Sequence, residues 1–143
     1  MLGRCVGELR PGDSAEFSKT VTETDVVIFA GITGDFNPAH IDEAWASGSR
    51  FGGRIVHGIF SAGLISAAIG TRLPGPGTIY ISQELRFLAP VRIGDTLTAR
   101  VEVKEVLEGK NRVRLETTVR NQQGKVVVDG EAWVMPPRAL EAK

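Results

Sequence analysis

From Ile55 to Thr71 the chain carries no Asp, Glu, Lys or Arg, and this is its one long uncharged run. The run falls a little short of the roughly 20 apolar residues that a membrane span needs. Read as a helix from Gly58 to Arg72, it has no polar face, so apolar partners must surround it nearly all round. Gly63 and Gly70 each cost about 1 kcal/mol of helix propensity relative to Ala. Ser61, Ala62, Gly63 and Ala67 are small enough to let another backbone approach closely.

The second half of the chain supplies what such a helix needs. Leu97, Ala99, Val101 and Val103 alternate with Thr98, Arg100, Glu102 and Lys104, which is strand periodicity. Val113, Leu115, Thr117 and Val119 repeat it. Gln122-Gln123-Gly124 reads as a hairpin turn leading into a strand from Lys125 to Met135, and Gly77 to Phe87 reads as another. Ala15 to Val21 adds an edge strand near the start. Thr22 caps a helix through Val26, Val27, Phe29 and Ala30 that finishes near Gly34. One α+β domain over residues 1–143 follows, an antiparallel sheet wrapped around a central buried helix, which is the hot-dog arrangement. Pro136-Pro137 and the charged residues to Lys143 form a tail that leaves the sheet.

Seventeen basic and seventeen acidic residues cancel, so no global field favours nucleic acid or an anionic membrane. The single Cys5 cannot form an internal disulfide or supply a metal cluster, which points to a reducing, cytoplasmic setting and to no metal. The first five residues have no apolar signal core.

Between the two helices lies Gly34-Asp35-Phe36-Asn37-Pro38-Ala39-His40. Pro38 removes a backbone donor and pushes Asn37 from helical angles, so the segment turns. A turn can bring Asp35 and His40 to one point, where regular helix would put them on different faces. Their unperturbed pKa values of roughly 4 and 6.5 suit proton traffic with one water. The same residues also make an ordinary Asx turn.

The longer stretch Phe29-Ala30-Gly31-Ile32-Thr33-Gly34-Asp35-Phe36-Asn37-Pro38-Ala39-His40, followed by Ile41-Asp42-Glu43-Ala44, resembles the hydratase 2 signature of MaoC-like dehydratases. The resemblance runs on through Ile55-Val56-His57-Gly58, Leu73-Pro74-Gly75 and Phe87-Leu88-Ala89-Pro90, and is nearest to the short (R)-specific enoyl-CoA hydratases. It implies reversible syn hydration of trans-2-enoyl thioesters, with Asp35 and His40 as the catalytic pair and no cofactor. Gly58 is then the oxyanion position, Ser66 aligns substrate, and Asn37 shapes the turn behind the pair. His57 orients the loop ahead of Gly58. The substrate is an acyl-CoA or acyl-carrier-protein thioester, and the protein is a homodimer. A carrier-protein dehydratase, a thioesterase of the same fold and a non-catalytic thioester-binding subunit remain as alternatives. Arg86, Arg92, Lys104 and Arg114 are candidates for phosphate contacts.

Overall fold

The computed structural model describes residues 1–139. Its elements run β1 (Ser14–Thr20), α1 (Glu23–Thr33), α2 (Pro38–Ile41), α3 (Glu43–Ser47), α4 (Gly58–Thr71), β2 (Ile79–Phe87), β3 (Thr96–Leu107), β4 (Arg112–Arg120) and β5 (Val126–Met135). The strands form one sheet in the order β1-β3-β4-β5-β2. Every neighbouring pair is antiparallel.

Alternation in sequence becomes alternation in burial. Leu97, Ala99, Val101 and Val103 on β3 face inward with Val113, Leu115, Thr117 and Val119 on β4. They meet Leu64, Ile65, Ala68 and Ile69 of α4 in one continuous core. The charged residues between them stay on the outer sheet face, where Lys104 pairs with Glu102 and Glu116, and Arg114 with Glu105 and Glu131. This is the hot-dog arrangement expected from the sequence.

The sheet of this one chain covers only one side of α4. Ile59 is 51% exposed, and Gly63 and Ser66 on the same side are open. The expectation that α4 is enclosed nearly all round therefore holds for one face within the chain. Apart from the Ser66 hydroxyl the uncovered face is apolar or small and carries no charge, so it is unlike a solvated helix surface.

Local chemistry sets the ends of α1. Thr22 Oγ1 accepts from the Asp25 N–H at 3.1 Å, and Asp25 Oδ2 accepts from the Thr22 N–H at 2.9 Å, a reciprocal capping box. Gly34 closes the helix at φ +80°, left-handed backbone that glycine adopts without steric cost. The chain then turns, as Pro38 requires, but the turn resolves into two short helices. Asn37 Oδ1 caps α2 by accepting from the Ala39 N–H, and Pro38 occupies the first helical position, where its missing donor costs nothing.

At the far end Pro136 and Pro137 leave the sheet, and Asn111 Nδ2 donates to the Pro136 carbonyl at 3.0 Å. The rest of the expected tail, 140–143, lies outside the described residues. Among the described residues no helix is long and apolar enough to cross a membrane.

Candidate active site

The turn after α1 does bring its polar side chains to one point. One donor atom each from Asp35, His40 and His57 lies within 4.8 Å of the other two. Asp35 is fixed mainly through backbone: its N–H donates to Thr33 Oγ1 at 3.2 Å, and its Oδ1 accepts from the Asn37 N–H at 3.2 Å. Asn37 thus touches Asp35 with its main chain, while its side chain is spent on the α2 cap. Its contact to His40 is likewise main-chain, the His40 N–H donating to the Asn37 carbonyl at 2.9 Å.

His40 is buried, and its Nδ1 lies 2.7 Å from the Ile55 carbonyl oxygen. A carbonyl only accepts, so Nδ1 carries the hydrogen and, in the neutral ring, Nε2 keeps the lone pair. His57 is 1% exposed and donates from Nε2 to the Asp35 carbonyl at 3.0 Å. Its ring packs on His40 with centroids 4.0 Å apart and a 30° tilt, and against the Phe29 ring with centroids 4.8 Å apart and a 53° tilt. Its Nδ1 is buried without a partner. The expectation that His57 merely orients a loop understates its position: it touches both members of the pair.

Asp, His and His also have the composition of a metal-ligand set. Here His57 Nε2 is committed to the Asp35 carbonyl and the two rings pack with a 30° tilt, so the side chains placed to hold and pass a proton are those of Asp35 and His40.

Helix α4 begins directly after His57. The N–H of Gly58, its first residue, has no intrahelical partner and lies at the positive end of the helix dipole. A Cβ at Gly58 would meet Phe87 Cδ1 at 2.9 Å, so the ring of Phe87 occupies the space a side chain would need. Ser66 is eight residues further on, about 12 Å along the axis at the helical rise. It lies on the open face of α4 and, among the described residues, makes no hydrogen bond to Asp35 or His40.

Arg54 ties the segment together in a way the sequence did not suggest. It pairs with Glu23 at the start of α1 and with Glu43 in α3, and its Nη1 reaches the His40 carbonyl at 3.4 Å. The guanidinium's hydrogen bonds to the Glu23 carboxylate hold that carboxyl below its ordinary range. Phe29 and the Ile55 carbonyl are further contributors that no local sequence signal marks, since their contacts span the α1–α4 connection.

A family model for the MaoC like domain matches residues 8–125. The chain belongs to the MaoC-like family. This MaoC-like chain is 52% identical over 130 residues to an (R)-specific enoyl-CoA hydratase of Rhodospirillum rubrum, covering 91% of this chain and 90% of the relative. It is 50% identical over 135 residues to a 3-hydroxybutyryl-CoA dehydratase of Methylorubrum extorquens, covering 94% and 85%. Among solved structures, the unliganded R-hydratase PhaJ1 of Pseudomonas aeruginosa superposes with a TM-score of 0.91 at 49% identity, covering 99% of this chain and 92% of that one.

Proposed function

We propose that the protein is an (R)-specific enoyl-CoA hydratase, a hydro-lyase that adds water reversibly and syn to trans-2-enoyl thioesters. The observation that carries this reading is the meeting of Asp35 and His40 beside the free N-terminus of α4. One water held between the two side chains loses a proton to His40 Nε2 as its oxygen bonds to the β-carbon. The electron pair of the double bond moves towards the thioester carbonyl, whose oxygen gains charge. The Gly58 N–H and the helix dipole stabilise that charge. The α-carbon then takes a proton from the Asp35–His40 pair, so the hydroxyl and the proton both arrive from the side of the double bond that faces the pair. His57 positions the pair, Asn37 shapes the turn, and Ser66 has the lesser role of aligning substrate from the open face of α4.

The working form is a homodimer. Ile59 and Ala62 of α4, with Tyr80, Ile81, Leu85 and the polar Ser82 and Gln83 of β2, line a shallow, mostly apolar cavity of about 340 Å³ at the uncovered helix face. Strand β2 is also an edge of the sheet, with backbone groups free to pair with a second copy. A partner packed there extends the sheet and covers α4. The free, partly exposed Cys5 fits a reducing cytoplasm.

The test is turnover of crotonyl-CoA by the wild type and by Asp35→Asn and His40→Gln. Each variant is expected to fold and to lose at least about two orders of magnitude in kcat, the scale of a proton-transfer group. Near-normal turnover in both would remove the assignment.

A further inference from the structure

We propose that Arg50 binds a phosphate of the substrate's carrier, and that the pocket it rims receives the pantetheine arm leading from that phosphate to the thioester. The proposal rests on the thioester reading above.

A cavity of about 250 Å³ adjoins Gly58 on the side of the Arg50–Val56 loop. Its buried residues, Val56, Ser61, Val91 and Val128, are apolar but for one hydroxyl, and Phe87 and Arg50 are exposed at its edge. Among the described residues Arg50 is the only charged one that lines it. A ligand that fits must pair a carbonyl near a helix N-terminus with an extended, weakly polar body and an anionic end. An acyl tail alone needs no cation.

The four basic residues that the sequence offered for phosphate contact are already engaged. Arg86 forms a two-point pair with Asp129 at 2.9 and 3.0 Å, and Lys104 and Arg114 are held by glutamates on the sheet. The Arg92 guanidinium donates to the carbonyls of Phe51, Gly53 and Arg54, which fixes the loop that carries Arg50. Arg50 itself has no acidic partner among the described residues. Its guanidinium lies over the Phe51 ring, 4.8 Å from the centroid. That contact steadies the group through its face and leaves its planar fork of N–H donors for a phosphate.

The experiment compares wild type with Arg50→Gln on three crotonyl thioesters: of coenzyme A, of 4′-phosphopantetheine, and of pantetheine without phosphate. With crotonyl-CoA the variant should show KM raised about tenfold and kcat unchanged. With crotonyl-pantetheine the two proteins should be equal, because the phosphate is gone from both comparisons. An effect shared by crotonyl-4′-phosphopantetheine assigns the contact to the phosphate that coenzyme A and carrier proteins have in common. An effect confined to crotonyl-CoA assigns it to the nucleotide phosphates. Equal losses on crotonyl-pantetheine, or no loss on crotonyl-CoA, would overturn the proposal. Calorimetric binding of coenzyme A itself separates the two levels of the argument: Arg50→Gln must weaken it even if no enoyl thioester turns over, and unchanged binding defeats the proposal independently of the activity.

Discussion

Replacing His57 by Leu removes the donor to the Asp35 carbonyl, the stack on His40 and the packing against Phe29, while keeping an apolar side chain in a buried site. The lost hydrogen bond contributes about 0.5–1.5 kcal/mol, and its loss leaves the carbonyl unpaired. Each lost ring contact contributes a further amount of about 0.5–1.5 kcal/mol beyond area burial. Against this, Leu relieves the burial of the unpartnered Nδ1. The net destabilisation should be about 2 kcal/mol, which leaves a folded protein. Activity should suffer more than stability. Asp35 and His40 both lean on this ring, and a shift of about 1 Å in reacting groups costs roughly a hundredfold in rate. The expected result is kcat lower by about two orders of magnitude, with KM little changed because His57 lines neither the Gly58–Phe87 pocket nor the open face of α4. His57→Gln restores a donor near Nε2 and should recover much of the rate. Thermal unfolding and the decay of enoyl absorbance with crotonyl-CoA measure the two quantities. A folded His57→Leu with nearly wild-type kcat would refute the positioning role, and His57→Gln no faster than His57→Leu would refute the hydrogen bond as its cause.

Gly58→Ala should lower kcat at least about tenfold, since its Cβ meets Phe87 Cδ1 at 2.9 Å and displaces either the ring or the N–H; the double variant with Phe87→Leu should recover part of the loss in the same kinetic assay. A Cβ at Gly63 meets nothing of its own chain within 4 Å and the position is exposed, so Gly63→Arg should fold yet run as a monomer on size-exclusion chromatography with light scattering. A dimer unaffected by that change would place the interface elsewhere. Ser66→Ala, on the open face of α4, should cost only a few-fold in kcat/KM. Burial pushes the hydroxyl of Tyr80, the single tyrosine, up to about 12. The unfolded chain ionises near pH 10, so stability from this group is complete below pH 10 and falls as pH rises towards 12. Ultraviolet titration of tyrosinate checks it, and ionisation near pH 10 in the folded protein would contradict it.

The elements were legible where local chemistry decides them. Thr22 with Asp25 fixed the start of α1, Gly34 its end, and the alternation from Leu97 and from Val113 gave β3 and β4 with their inward faces correct. Pro38 was a sound sign that α1 could not continue, but Asn37 as a cap makes the same proline the start of a new helix. Strand order was not legible, because placing β2 beside β5 at the edge depends on contacts between distant segments and not on the pattern within either. For the same reason the sequence paired Asp35 with His40 through one turn but could not see His57 packed on His40 and bonded to the Asp35 carbonyl, nor Arg54 bridging α1 and α3. The open face of α4 escaped as well: a helix apolar all round announces burial without saying whether its own chain or another provides the cover.

The most direct measurement is hydration of crotonyl-CoA by the purified protein in deuterium oxide, with the product's configuration at C2 and C3 read by NMR after chiral resolution. The account predicts (R)-3-hydroxybutyryl-CoA with one deuterium at C2, placed by syn addition from the side of Asp35 and His40. An (S) product, anti addition, or release of free thiol in place of hydration would contradict it.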